Sequence, residues 1–120
     1  KGLTQLVADN MITSNLPLVQ NNQPINDAII VMTESRLGLA LVHSDNILCG
    51  IFTDGDLRRL FLTKRNLSKD KVKDVMSSEP LTISKDTLMI DAKKKMVEAK
   101  VQALVVTDSK KSIQGIIQIY

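Results

Sequence analysis

Aromatic side chains are almost absent from this chain of 120 residues. Phe52, Phe61 and Tyr120 make up its 2% aromatic content, and tryptophan is missing. Proteins that bind single-stranded nucleic acids stack bases on aromatic side chains, so this scarcity argues against that class. Hydrophobic residues still make up 43% of the chain, and the core must therefore be built from aliphatic side chains.

Cysteine is equally scarce, because Cys49 is the only one. It cannot form an internal disulfide, and a lone thiol is usual in a reducing cytosol. No second cysteine or histidine stands at metal-ligand spacing from it. We expect a cytoplasmic protein with no metal and no cofactor, in which Cys49 packs as a small hydrophobic residue of an apolar strand.

Long apolar runs are missing as well. No stretch approaches the roughly 20 residues that a membrane helix needs, and no secretory signal is visible. The net charge of +3 is small and comes from short lysine runs with acidic neighbours, which does not demand a nucleic-acid partner. We expect neither a membrane nor a nucleic-acid partner. The chain begins at Lys1 and ends directly after a predicted strand, so we also expect it to be a piece of a longer protein.

What the sequence does contain is an internal repeat with a period of about 64 residues. The matching positions include Asp9 and Asp74, Met11 and Met76, Asp27 and Asp91, Met32 and Met96, and Gly50 and Gly115. We predict repeat one over residues 9–63, repeat two over 69–120, and residues 1–8 as a linker from a missing N-terminal domain. Each repeat is too small to bury its own sheet and helices well. The expected fold class is therefore α/β (α+β), with two β-α-β-β-α repeats packed as a pseudo-two-fold pair.

Apolar periodicity places the helices of both repeats. In repeat one the buried stripe is Ile25, Ala28, Ile29 and Met32, with Asn22 as N-cap and Pro24 in the first turn. In repeat two the stripe is Leu88, Ala92, Met96 and Ala99, with Asp86 as the cap. A further helix follows Asp54, which we expect to cap it, and buries Leu57, Leu60 and Phe61.

Apolar runs bounded by turn residues predict the strands. They cover 18–19, 38–42 and 47–53 in repeat one, and 81–83, 103–107 and 112–119 in repeat two. His43 falls where a strand meets the turn at Asp45 and Asn46, so we expect a surface or turn residue there.

The sharpest local feature is the run from Gly50 to Arg59, in which an apolar strand enters a helix through Thr53 and Asp56. A carboxylate at a helix N-terminus is suited to vicinal hydroxyls such as those of a ribose, and Thr53 adds a donor and an acceptor. Gly55 would let a ligand approach the backbone closely. The same spacing is that of a capping box, so capping and ligand binding both remain open.

This arrangement in a tandem repeat resembles the CBS domain, a module that usually occurs in pairs. The family pattern Gly-apolar-apolar-Thr-x-x-Asp is matched by Gly50, Ile51, Phe52, Thr53 and Asp56. The resemblance implies that Thr53 and Asp56 hold the ribose of an adenine nucleotide or a similar ligand. It also implies that the cleft is completed by Ser77, Ser78 and Pro80 together with Gln102 and Ala103.

Two departures from the family pattern limit this expectation. Gln118 replaces the threonine in repeat two, and the chain ends before an aspartate is reached, so we expect one good cleft rather than two. Nucleotide-binding members often carry a basic residue before the middle strand, where this chain has Leu37 and Gly38. Arg58 and Arg59 could bind a phosphate or carboxylate instead, or could simply lie on a solvated helix surface.

A narrower resemblance exists to the C-terminal CBS pair of arabinose-5-phosphate isomerases. It is carried by the ten residues from Gly50 to Arg59, with Leu37, Gly38 and Leu39 upstream. It implies an N-terminal sugar-isomerase domain outside this chain, and a product that feeds synthesis of the lipopolysaccharide sugar Kdo. The catalytic activity would then not reside in these residues, and the expected effector is a nucleotide or a nucleotide-sugar.

The sequence leaves two functions in competition. One is a regulatory, ligand-sensing module attached to an isomerase, and the alternative is a ligand-free scaffold that holds catalytic domains together. CBS pairs commonly associate, so the resemblance implies a homodimer or a higher homo-oligomer in either case. A stand-alone enzyme is disfavoured, because no defensible set of base, nucleophile or metal ligands stands out.

Overall fold

The computed structural model describes residues 4–119, which form a mixed α+β structure as the sequence predicts. The helices are α1 (Val7–Asn10), α2 (Ile25–Ser35), α3 (Asp54–Leu60) and α4 (Met89–Ala99), and a 3-10 turn covers Val72–Asp74. The strands are β1 (Leu18–Gln20), β2 (Leu39–Ser44), β3 (Ile47–Thr53), β4 (Ser77–Ser78), β5 (Thr82–Ile83), β6 (Ala103–Thr107) and β7 (Ile113–Gln118).

These elements fall into two compact units. The first unit, Pro17–Pro80, contains a sheet of order β1-β2-β3-β4 in which β1 runs parallel to β2 and the other pairs are antiparallel. The second unit combines residues 4–16 with 81–119, and its sheet has the order β5-β6-β7 with the same parallel and antiparallel pairing. Each unit encloses its own core. The core of the second unit is aliphatic as expected, whereas the core of the first also contains the fully buried Phe52.

The first residues of each predicted repeat pack into the unit formed mainly by the other repeat: residues 9–16 join the second unit, and residues 69–80 join the first. Ile12 exchanges two backbone hydrogen bonds with Ile116 in β7, at 2.8 and 3.0 Å, and Val7 is fully buried in the second core. Residues 4–8 of the predicted linker are thus built into the second unit, whereas residues 1–3 and Tyr120 lie outside the described residues. No local sequence pattern predicts this exchange. The predicted bounds therefore describe the repeat in the sequence and do not coincide with the bounds of the two compact units.

Glycine makes this packing possible in both units. A Cβ added to Gly50 would lie 2.6 Å from the carbonyl oxygen of Ser77 and 2.7 Å from the sulfur of Met76. A Cβ added to Gly115 would lie 2.5 Å from the carbonyl oxygen of Ile12. The repeated glycines therefore mark where a neighbouring backbone approaches too closely for any side chain.

The predicted N-caps of α2 and α4 are wrong. The N-cap residues are Pro24 and Leu88, not Asn22 and Asp86, and neither makes a side-chain cap. Backbone carbonyls of other segments accept from the first helical amides instead. The amide of Ile25 donates to the carbonyl of Asp70 at 3.0 Å, and the amide of Met89 donates to the carbonyl of Gln5 at 2.8 Å. These contacts satisfy amides that a helix start leaves without an intrahelical partner.

The helix faces agree with the apolar stripes except at the helix ends. Ile25, Ala28 and Met32 are buried in α2, and Met89, Ala92 and Met96 are buried in α4. Leu88 and Ala99 are exposed because α4 begins only at Met89 and Ala99 ends it. Phe61, predicted to be buried, is 82% exposed, because α3 ends at Leu60.

We predict that Gly50→Ala destabilises the chain, because its new Cβ would collide with backbone that cannot rotate away. Overpacking of this kind costs about 1–3 kcal/mol, and urea denaturation would measure it. Gly55→Ala is the control, since its Cβ would come no closer than 3.6 Å to a neighbour and alanine favours a helix. Equal denaturation midpoints for the two variants would contradict this account of the packing.

Candidate functional site

The candidate site is built where β3 enters α3. Thr53 ends the strand and is the N-cap residue, in place of the predicted Asp54. The amide of Asp56 donates to Oγ1 of Thr53 at 3.2 Å, and the amide of Thr53 donates to Oδ2 of Asp56 at 2.9 Å. The capping-box interpretation of this motif is therefore confirmed. It fixes both side chains against the helix start, so the cap itself preorganises a hydroxyl and a carboxylate.

Ser77 joins these two residues from a different element. Pairing of β4 with β3 sets Ser77 opposite Ile51, and its hydroxyl lies 3.0 and 3.1 Å from the two carboxylate oxygens of Asp56. Asp56 is only 6% exposed. A nearly buried carboxylate thus lies between two hydroxyls, those of Ser77 and Thr53, the latter 3.1 Å from Oδ2.

Arg59 also contacts Asp56, which the sequence analysis missed. Its guanidinium forms an ion pair with Oδ1 of Asp56, while its side chain stays 68% exposed. The spacing of three residues along a helix could have revealed this pair. Arg58 is exposed on the same helix. Of the two arginines, Arg59 therefore faces the carboxylate and Arg58 lies on the surface.

The other residues predicted for the site lie at differing places. Gly55 is half-buried in the first turn of α3, next to the Thr53 hydroxyl. Ser78 is exposed opposite Gly50, and Pro80 follows β4 half-buried. Gln102 and Ala103 belong to the second unit, at the start of β6, and their part in ligand binding stays a prediction.

The second unit carries a different residue at the position of Thr53. In the first unit Thr53 pairs with Leu39 across the sheet, and in the second unit Gln118 pairs with Ala103 in the same register. The amide side chain of Gln118 thus stands where the capping hydroxyl stands in the first unit. The sequence difference between the repeats is therefore a difference at one equivalent strand end.

Comparison with known proteins decides the family. The model of the CBS domain matches residues 7–63 and 72–119. The chain belongs to the CBS domain family. CBS domains are regulatory and not catalytic modules, and the structural neighbours of the chain are CBS domain pairs.

Relatives extend this result to a particular group of proteins. The chain is 36% identical over 107 residues to the arabinose 5-phosphate isomerase KdsD of Francisella tularensis, covering 89% of this chain and 33% of that protein. It is 34% identical over 115 residues to KpsF of Escherichia coli, also an arabinose 5-phosphate isomerase, covering 95% and 35%. The CBS pair thus spans about a third of the length of these curated relatives.

Among solved structures, the protein CBSX2 in complex with AMP is 28% identical, with a TM-score of 0.82 over 94% of this chain and 89% of that one. A CBS domain protein from Bacillus anthracis is 18% identical with a TM-score of 0.84, covering 98% and 88%, a likeness of fold alone. Within the described residues, no helix is long and apolar enough to cross a membrane.

His43, predicted as a surface or turn residue, is buried in β2. Its Nδ1 accepts a hydrogen bond from the amide of Asn46 at 3.0 Å, in the turn where Asp45 and Asn46 both have positive φ angles. Burial lowers the pKa of His43, and the negative charge of Asp45 opposes that effect only in part. Burial therefore favours the neutral form of the imidazole in the folded chain.

We predict that this histidine makes the CBS pair less stable in mild acid. Between about pH 7.5 and pH 5.5 the unfolded chain protonates His43 while the folded chain resists, so the free energy of unfolding falls with falling pH. Replacement by glutamine should remove that part of the slope. Chemical denaturation across this range measures it, and identical slopes for the two proteins would show that His43 does not contribute.

Proposed function

We propose that this CBS pair is the regulatory region of an arabinose 5-phosphate isomerase and binds a nucleotide or a nucleotide-sugar in the first unit. The observation that carries the proposal is the convergence of Thr53, Asp56 and Ser77 from three elements. One nearly buried carboxylate lies between two hydroxyls, and its two oxygens can accept from both hydroxyls of a vicinal diol. The names of the relatives and the AMP complex of CBSX2 support it.

A ribose would bind by exchanging hydrogen bonds with the groups already on Asp56. Its two hydroxyls would donate to the carboxylate in place of Arg59 and Ser77. Arg59 can leave readily, because its side chain is 68% exposed and a solvent-screened ion pair contributes little. The released guanidinium, with the exposed Arg58 beside it, would then be available for a phosphate or carboxylate of the same ligand.

The charge distribution favours a ligand with few phosphates. Leu37 and Gly38 precede β2 where nucleotide-binding CBS domains often have a basic residue, so a polyphosphate would lack a partner there. Adenosine monophosphate and the cytidine-linked form of Kdo both carry a ribose with a single phosphate, and the second adds a carboxylate for an arginine. A downstream activated sugar would act as feedback if it bound two states of the whole isomerase with different affinities.

Asp56→Asn tests the ribose contact. We expect the affinity for AMP and for cytidine-linked Kdo to fall about tenfold or more, because the charge-assisted hydrogen bonds of the carboxylate are lost. Isothermal titration calorimetry measures this, with thermal melting to show that the variant is folded.

Asp54→Asn is the matched control for that titration. It removes the same charge from an exposed neighbour in the first turn of α3, and it should bind like the native chain. If the native chain binds neither ligand, or if both variants bind equally well, the proposed ribose site is wrong.

A second candidate function, the ligand-free scaffold, is favoured by one specific observation. Phe61 and Leu62, directly after α3, are 82% and 87% exposed. Adjacent large apolar side chains on a surface commonly mark an association site. A homodimer formed through this patch would hold two catalytic domains together whether or not a ligand binds.

We predict that a double variant, Phe61→Ser with Leu62→Ser, shifts the chain toward the monomer, because it removes the apolar patch. Sedimentation velocity measures the mass, and Lys64→Ser, on the exposed stretch just beyond, should leave assembly unchanged. A native chain that is monomeric at all concentrations would rule out this scaffold.

A further inference from the structure

A cleft lies wholly within the second unit, at the carboxyl ends of the parallel strands β5 and β6. Its volume is about 470 Å³, within the range of small-molecule sites. It is at the opposite end of β6 from Ala103 and Gln118, which occupy the position equivalent to the Thr53 edge of the first unit. The cleft is therefore separate from the residues proposed to hold a nucleotide.

Hydroxyl groups dominate the lining of this cleft. They are contributed by Thr82, Ser84, Thr87, Thr107 and Ser109. Thr107 is only 7% exposed, and its hydroxyl hydrogen-bonds to no protein group within the described residues. Among the described residues no fully buried side-chain oxygen or nitrogen lacks a partner, so this hydroxyl opens into the cleft, where a ligand hydroxyl can replace water as its partner.

Lys95 supplies a positive charge to the same cleft. Its Nζ donates to the carbonyl oxygen of Thr82 at 2.7 Å, which uses one of its three protons. Within residues 4–119, no carboxylate lies within 4.0 Å of it. The half-buried ammonium therefore keeps two donors and has no direct ion-pair partner among the described residues, a combination that favours an anion.

Asp108 defines the other side of the cleft. Its Oδ1 accepts from the amides of Lys110 and Ser112, each at 2.9 Å. These hydrogen bonds, led by the one from Ser112, lower the pKa of Asp108. A fixed carboxylate accepts from hydroxyls and repels anions, whereas Lys95 on the other side attracts an anionic group. The lining therefore favours a ligand that carries both an anionic group and hydroxyls.

The first unit lacks this combination at the equivalent positions. The shared registers Val19–Val42 and Ile83–Val106 place Ser84, Thr87, Lys95 and Thr107 where the first unit has Gln20, Gln23, Val31 and His43. In the first unit two of these longer side chains accept hydrogen bonds from nearby backbone amides. Gln23 accepts from the amide of Gln20, and His43 accepts from the amide of Asn46. Shorter hydroxyl side chains and the lysine are thus specific to the second unit.

From this arrangement we infer that the second unit binds a small sugar phosphate in the cleft, with Lys95 on the phosphate and Thr107 and Asp108 on the sugar hydroxyls. The phosphate fits the two free ammonium donors, and the polyol fits the hydroxyl lining. This site does not depend on the nucleotide site proposed for the first unit.

Titration of the isotope-labelled chain with ribose 5-phosphate, followed by amide NMR shifts, tests the inference. We expect saturable shifts at residues 82–87 and 107–109 with millimolar affinity or better. Lys95→Gln should weaken binding about tenfold or more, while Lys94→Gln, an exposed neighbour with the same charge change, should not. Thr107→Val should weaken it several-fold, which covers the case that Lys95→Gln disturbs the fold.

Several results would overturn the inference. They are the absence of shifts up to about 10 mM ligand, shifts centred on residues 53–56 instead, undiminished binding by Lys95→Gln, or inorganic phosphate or ribose binding as tightly as ribose 5-phosphate. Asp56→Asn should leave this titration unchanged, so that failure here is distinguishable from failure of the nucleotide site.

Discussion

The close approach of β3 and the segment 76–78 is the contact on which the first unit and its candidate site depend. It is possible only because Gly50 has no side chain, since a Cβ there would overlap the carbonyl of Ser77. The same approach sets Ser77 opposite Ile51 and brings its hydroxyl to Asp56. A steric requirement of the core thus also assembles the polar groups at the strand end. Gly115 and Ile12 repeat the steric part of this arrangement in the second unit, without the hydroxyl and carboxylate.

Much of this structure follows from the sequence, for physical reasons. Apolar runs bounded by turn residues identify the strands, because central strands such as β2 and β6 are buried on both faces. The 3.6-residue periodicity identifies the buried faces of α2 and α4, because each helix buries one side. The spacing of Thr53 and Asp56 predicts their contact, because a capping box is local. Contacts between segments that are distant in the sequence have no such local pattern, which is why the N-caps of α2 and α4 were predicted wrongly. The first amides of α2 and α4 donate to the backbone carbonyls of Asp70 and Gln5. Both acceptors lie far from their helix in the sequence, and a backbone carbonyl leaves no side-chain pattern that would predict the contact.

The exchange of leading segments was beyond sequence reasoning for the same reason. Residues 4–12 carry no sequence pattern that predicts which unit they join. The structure shows it, because Ile12 pairs with Ile116 of β7. The ion pair between Arg59 and Asp56 joins residues three apart on one helix, a spacing from which it can be predicted. It matters for function, because a carboxylate already paired must exchange partners before it can bind a ligand, and that exchange sets the free energy available for recognition.

The two units have kept one fold and diverged at opposite strand ends. The first unit has hydroxyl and carboxylate groups where β3 meets α3. The second has Gln118 at the equivalent position, and its cleft at the carboxyl ends of β5 and β6 is lined by hydroxyls and by Lys95 of α4. The most direct test of the central claim is hydrogen–deuterium exchange of the chain with and without AMP or cytidine-linked Kdo. We expect slower exchange at the amides of residues 53–56 and 77–78 with at least one of these ligands. Unchanged exchange there, with both ligands at saturating concentration, would contradict it.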